Sequence, residues 1–158
     1  MPDTEQISIV IIDDDRCQRV FLSAILRKNH YRVKAVSNRQ DGLRVISEEN
    51  PDLVITDILM PDFDGLEIIA QLKKQYRDLK IIALSGEYSA DLYLELAIEF
   101  GADNAFIKPF ETKDFLEAVQ FLMRGKNASS RDLPEIRIDT NCSWDERQQG
   151  AVLNDCLP

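Results

Sequence analysis

Short apolar runs alternate with helix-period segments through residues 1–124, and this alternation constrains the fold more than any other feature of the chain. Ile7, Ile9, Val10, Ile11 and Ile12 make a strand of the type buried on both faces, ending in three carboxylates, Asp13, Asp14 and Asp15. From Arg16 to about Lys28, Cys17, Val20, Phe21, Ala24 and Ile25 recur at three- and four-residue spacing and predict an amphipathic helix, which Asn29 and His30 close. Tyr31 to Val36 alternates like an edge strand, and Asn38 then caps a helix carrying Leu43, Val45 and Ile46 that stops before Pro51. Leu53, Val54 and Ile55 form the third run, followed after Gly65 by a helix with Leu66, Ile68, Ile69 and Leu72. A fourth strand, Lys80 to Leu84, leads to a helix capped by Ser89 and ended by Gly101. A fifth, Ala105 to Ile107, leads to a last helix from about Thr112 to Met123. Five such units imply an α/β fold: a doubly wound parallel sheet with right-handed crossovers and helices on both faces.

Composition removes several function classes. With 158 residues and 44% apolar content, the chain is expected to build one core, a domain over 1–124, and a tail over 125–158 without an output domain of its own. The formal net charge is −9 and no Lys/Arg block occurs, so direct nucleic-acid binding and attraction to anionic membranes are not expected. Neither a secretory leader nor an apolar stretch of the roughly 18 residues needed for a membrane span is legible, and the expected location is cytoplasmic. Cys17, Cys142 and Cys156 lack metal-ligand spacing and read as reduced thiols, with Cys17 packed on its helical stripe. His30 reads as a surface histidine. In the tail, Asn127 to Ser130 reads as a linker, Glu135 to Ile138 as a possible short strand, and Trp144 is the chain's one tryptophan. A disordered extension and a partner-docking arm are both open readings of this segment.

Polar groups collect at the strand ends. Asp57 closes the third strand, where Met60, Pro61, Asp62 and Gly65 turn the chain, and Asp13, Asp14, Ser85 and Lys108 follow the first, fourth and fifth strands. In a doubly wound sheet these ends share one rim, the crevice where such sheets place ligands. Carboxylates gathered there repel one another, and a hard divalent cation with oxygen ligands, Mg²⁺, relieves that repulsion. A cation and the Lys108 ammonium could then neutralise an incoming phosphoryl group, with the Ser85 hydroxyl donating to a phosphoryl oxygen and Asp57 as nucleophile. The bland alternatives are a solvated turn with helix-capping aspartates, an exposed lysine and an ordinary loop serine.

The segments IIDDD, VITDILMPDFDG, ALSG and FIKPF occur in this order, and with them residues from about Ile7 to Met123 resemble a response-regulator receiver domain, the phosphoacceptor half of two-component signalling. The resemblance implies a flavodoxin-like (βα)5 sheet in the order 2-1-3-4-5. It further implies a phosphoryl group accepted on Asp57 from a histidine kinase or phosphotransfer protein. Mg²⁺ would be bound by Asp14, Asp57 and the Leu59 carbonyl, with Asp13 holding its water. Ser85 and Lys108 would contact the phosphoryl group, and a cis peptide would precede Pro109. Leu59 and Glu87 stand where the family tunes phosphoryl lifetime. One position departs from the pattern: Ala105 stands where the family places a switch aromatic, and Phe106 should face the other side of the sheet.

The segment after Ser89 is apolar around most of its circumference. If Tyr93, Leu94, Ala97 and Ile98 face the sheet, Leu92, Leu96 and Phe100 form a ridge for a downstream partner or a second copy, unless the tail covers it. The expected function is thus a phosphoacceptor without turnover chemistry. A phosphorelay intermediate and a Mg²⁺-dependent aspartyl-phosphate phosphatase are the alternatives, the latter disfavoured because Leu59 occupies the place of a general acid. A flavin-binding module of the same topology would be repelled by Asp13 to Asp15.

Overall fold

A strand covered on both faces needs apolar side chains on both, and each run over Ser8–Ile12, Leu53–Asp57 and residues 81–85 is buried at every position. The computed structural model describes residues 6–61, 63–86 and 90–124. In chain order the elements are β1 (Ser8–Ile12), α1 (Arg16–Lys28), β2 (Arg32–Val36), α2 (Arg39–Glu49), β3 (Leu53–Asp57), α3 (Gly65–Gln75), β4 (Lys80–Ser85), α4 (Ala90–Glu99), β5 (Asn104–Ile107) and α5 (Thr112–Arg124). All strands of the main sheet pair in parallel, in the order β2-β1-β3-β4-β5 that the resemblance implies. A two-residue antiparallel ladder, Leu59–Met60 with Phe63–Asp64, which the sequence reading did not anticipate, lies between β3 and α3.

The pleat divides the core into two layers. Val10, Ile12, Val54, Ile81 and Ala83 pack with Val45, Ile46, Leu66, Ile69, Leu72 and Ala97 of α2, α3 and α4. Ile9, Ile11, Leu53, Ile55, Ile82 and Leu84 pack with Leu22 and Leu26 of α1 and Phe115 and Val119 of α5. Each fully buried Val, Leu, Ile or Phe among them contributes about 1.5–3 kcal/mol of hydrophobic transfer. Ala105 packs with the first layer and Phe106 with the second, on opposite faces as period-2 geometry requires. Phe106 joins Phe110 and Phe115 in a ring cluster with centroids 5.0 to 5.7 Å apart.

Helix ends follow local chemistry. Asp15 caps α1 by accepting from the Cys17 amide at 2.8 Å, Asn38 caps α2 by accepting from the Asp41 amide at 2.9 Å, and Asp64 caps α3 by accepting from the Leu66 amide at 2.9 Å. Behind α1 and α2, His30 and Asn50 take the left-handed conformation, at φ 66° and 44°. His30 is exposed, as expected.

The buried face of α1 differs from the one expected. Leu22, Ser23 and Leu26 are buried with Ile25 partly so, whereas Cys17, Val20, Phe21 and Ala24 face solvent. Two apolar stripes compete on this helix, and the one that is buried is the one whose Leu22 and Leu26 pack with the sheet and with Phe115 and Val119 of α5. Cys17 is therefore not a packing residue, and it is disulfide-bonded, which corrects its reading as a reduced thiol. On α4, Ala97 is fully buried and Tyr93, Leu94 and Ile98 partly so, as expected, but Leu96 is also partly buried against the core. The exposed part of the anticipated ridge is Leu92 and Phe100. Among the described residues no helix is long and apolar enough to cross a membrane. The expected Ser89 cap, Glu87, the Asn127 to Ser130 linker, the Glu135 to Ile138 strand and Trp144 lie outside the described residues.

Candidate functional site

The ends of β1 and β2, of β3 and β4, and of β4 and β5 are joined by backbone bonds that continue the sheet past its last pairs. The Asp13 amide donates to the Val36 carbonyl at 3.2 Å, the Ile58 amide to Leu84 at 2.8 Å, and the Lys108 amide to Ser85 at 2.7 Å. The residues that follow the apolar runs are thereby fixed along one rim.

The three aspartates after β1 separate into distinct roles. Asp13 is fully buried, Asp14 is exposed, and Asp15 is the helix cap already described. Asp13 Oδ1 accepts from the Asp15 amide at 2.9 Å. Arg19, one turn into α1, donates from one guanidinium nitrogen to the carbonyls of Asp13 at 2.8 Å and Asp14 at 2.9 Å, tying the acidic loop to its helix. Sequence reasoning missed Arg19; its signal was a cation placed one helical turn beyond the cap.

Asp57 closes β3 opposite Leu84 and is buried. Its Oδ1 accepts from the Leu59 amide at 3.0 Å. The other oxygen faces Lys108, whose Nζ donates to Asp57 Oδ2 at 3.1 Å and to Asp13 Oδ2 at 2.8 Å. Asp13, Asp14 and Asp57 each offer an oxygen within 4.8 Å of the others, so the cluster predicted from strand ends is formed. Ser85 is buried at the same rim, with its hydroxyl donating to the Gly86 carbonyl at 3.2 Å. The peptide before Pro109 is cis, as the resemblance implies.

Gly65 also escaped the reading of site residues. A Cβ there would lie 2.6 Å from the Asp57 carbonyl oxygen and from the Ile58 Cα, both backbone atoms that cannot move aside. The bare glycine lets the first turn of α3 rest on the end of β3, with the Gly65 amide donating to the Ile58 carbonyl at 2.9 Å. Its signal was a glycine directly after the turn residues.

Burial is the main influence on Asp13, raising its pKa above the ordinary value; the Lys108 hydrogen bond and charge oppose this without cancelling it. Burial also works against the charge of Lys108, but there the hydrogen bond and charge of Asp13, reinforced by Asp57, prevail and raise its pKa. The two directions are compatible because Lys108 has two carboxylate partners and Asp13 shares a single ammonium. One lysine thus faces three carboxylates, leaving an excess of negative charge beside exposed Asp14. All-oxygen donors with that excess fit a hard divalent cation.

Comparisons with known proteins agree with this geometry. The family described as Response regulator receiver domain matches residues 9–120. Response regulator MprA of Mycolicibacterium vanbaalenii is 33% identical over 118 residues, which are 75% of this chain and 51% of that protein. The chain thus spans about half the length of that relative. A receiver domain protein from Clostridium thermocellum superposes with a TM-score of 0.71 at 28% identity, over 77% of this chain and 97% of the other. A CheY-like receiver domain protein from Methanospirillum hungatei gives 0.71 at 27% identity, over 78% and 98%.

Proposed function

Because the chain belongs to the response regulator receiver domain family of two-component signalling, we propose that it accepts a phosphoryl group on Asp57 from a histidine kinase or phosphotransfer protein and signals through protein contacts. The observation that carries the reading is the bridge of Lys108 between Asp13 Oδ2 and Asp57 Oδ2, with Asp14 alongside. An Asp57 carboxylate oxygen attacks phosphorus, the bond from phosphorus to the donor's imidazole nitrogen breaks, and its electron pair returns to that nitrogen. The Leu59 amide steadies one Asp57 oxygen, and the Lys108 ammonium is placed to turn from carboxylate to phosphoryl oxygen. Ser85 supplies a hydroxyl at the rim for the same group. Asp14, Asp57 and the Leu59 carbonyl would hold Mg²⁺, with Asp13 holding its water; when bound, the ion neutralises charge on the phosphoryl oxygens.

Receiver domains are signalling domains rather than turnover enzymes. Leu59, which is exposed, has no proton to give a leaving group, which supports the acceptor over the phosphatase reading. We place the receiver at 1–124 and the tail at 125–158, and the protein in the cytoplasm. Leu92 and Phe100 on α4 supply the exposed apolar surface for a downstream partner or second copy, with Leu96 between them. With Ala105 at the aromatic position, that surface responds without the family's usual rotating ring.

Incubation with Mg²⁺ and acetyl phosphate, read by intact mass, tests the assignment. The expected result is a gain of one phosphoryl group, labile in base and absent from Asp57→Asn; labelling that survives in the variant overturns it. Loss of the label to an added histidine phosphotransfer protein would identify a relay intermediate.

A further inference from the structure

Three successive carbonyls of the acidic loop converge on one residue of α1. Arg19 donates from a single guanidinium nitrogen to the Asp13 carbonyl at 2.8 Å and the Asp14 carbonyl at 2.9 Å, and its own amide donates to the Asp15 carbonyl at 3.0 Å. Asp15, as the cap of the same helix, closes the tie from the other side. Among the described residues Arg19 forms no ion pair, although three carboxylates stand in the loop it holds. Its donors go to the backbone, so none of those carboxylates is drawn away from the rim by it. We propose that Arg19 is a positioning residue for Mg²⁺: by fixing the loop backbone it aims the Asp14 carboxylate at the cluster and thereby sets the affinity for the ion. The inference rests on the phosphoacceptor reading, which gives the ion its role.

The dependence falls on Asp14 because its carboxylate has no other anchor. Asp13 is held at both oxygens, by the Asp15 amide at 2.9 Å and Lys108 at 2.8 Å, and Asp57 likewise, by the Leu59 amide at 3.0 Å and Lys108 at 3.1 Å. Asp14 is exposed and its carboxylate makes no hydrogen bond among the described residues, yet it offers an oxygen within 4.8 Å of the other two. Backbone position alone therefore brings that oxygen to the cluster, and Arg19 holds the backbone there. A group that orients a metal ligand without touching the ion commonly accounts for about 10–100-fold in affinity. Charge works in the opposite sense. A guanidinium beside the loop repels a divalent cation, so by charge alone its removal would tighten binding. Positioning and charge thus predict opposite signs for the same substitution.

Mg²⁺ binding to the full, unphosphorylated chain, followed by calorimetry, tests this. Arg19→Ala should weaken binding about tenfold or more, and Arg19→Lys, which keeps a cation with donors, should recover much of the loss. Arg19→Met, which keeps side-chain bulk without donors, should show the same weakening as alanine, so the comparison survives an alanine variant that does not fold. Arg16 supplies the control, being exposed and without a side-chain hydrogen bond or ion pair among the described residues. Arg16→Ala removes the same charge and should not weaken binding. Labelling of Arg19→Ala by acetyl phosphate should need correspondingly more Mg²⁺ yet reach the wild-type rate at saturation, a split that damage to the fold would not produce. Arg19 variants that bind Mg²⁺ as tightly as the wild type or tighter, or an Arg16→Ala that weakens binding equally, overturn the proposal. A wild type that binds Mg²⁺ but is not labelled overturns the phosphoacceptor reading alone, because the dissociation constants decide the role of Arg19 without any phosphorylation.

Discussion

Asp13 is a fully buried carboxylate whose one lysine is shared with Asp57, and its raised pKa has a definite consequence for stability. The folded chain holds the Asp13 proton more tightly than the unfolded chain does. Its contribution therefore falls as pH rises from the ordinary carboxylate value of 3.8 through the folded value. Lys108 runs the other way: its raised pKa adds stability that is fully present below the ordinary lysine value of 10.5 and is lost as pH climbs through the folded value. At neutral pH, Asp13→Asn should raise the unfolding midpoint of the metal-free protein by a few degrees and flatten its fall between mildly acid and neutral pH, as followed by circular dichroism. Mg²⁺ should work in the opposite sense to that repulsion. An ion at one hundred times its dissociation constant adds about 2.7 kcal/mol to a protein that binds it only when folded. Asp14→Asn should remove most of that gain with little change in the metal-free midpoint; equal Mg²⁺ stabilisation in the variant would exclude Asp14 as a ligand.

At the scale of elements, the junction between β3 and α3 depends on one missing methyl group. Gly65→Ala would press a Cβ against the Asp57 carbonyl and the Ile58 Cα. Overpacking against backbone should cost about 1–3 kcal/mol in urea unfolding and, by displacing Asp57, slow labelling by acetyl phosphate. A variant with wild-type stability and labelling would show that the junction yields. The same element shows where sequence patterning succeeds and where it stops. β3 was legible because Leu53, Val54 and Ile55 are uninterrupted and Pro51 and Gly65 bracket the run. α1 was legible as a helix but not in its orientation, because Val20, Phe21 and Ala24 make as regular a stripe as Leu22, Ile25 and Leu26. Periodicity reports that a face exists; which of two faces is buried depends on the partner layer.

For the whole molecule, the outward surface of α4 bears on association. Leu92 and Phe100 are 60% and 45% exposed, whereas Leu96 packs partly on the core, so Leu92→Asp with Phe100→Asp separates binding from folding better than a change at Leu96. The double variant should keep its unfolding free energy within about 0.5 kcal/mol per substitution and lose any phosphorylation-dependent association seen by light scattering. Unchanged association would move the output to another surface.

By itself the sequence determined the alternation of strands and helices, the parallel sheet that follows from it, and the carriage of Asp13, Asp14, Asp57, Ser85 and Lys108 to strand ends, since these depend on local period and on the chirality of crossovers. Only the tertiary structure decided how those groups divide the work. That Asp13 is buried and Asp14 exposed, that Lys108 spans two carboxylates, that Arg19 ties down the acidic loop and that Gly65 must be bare all depend on distances between residues far apart in the chain. Burial and charge pairing act through space, so they take their values only once the sheet has brought its strand ends together.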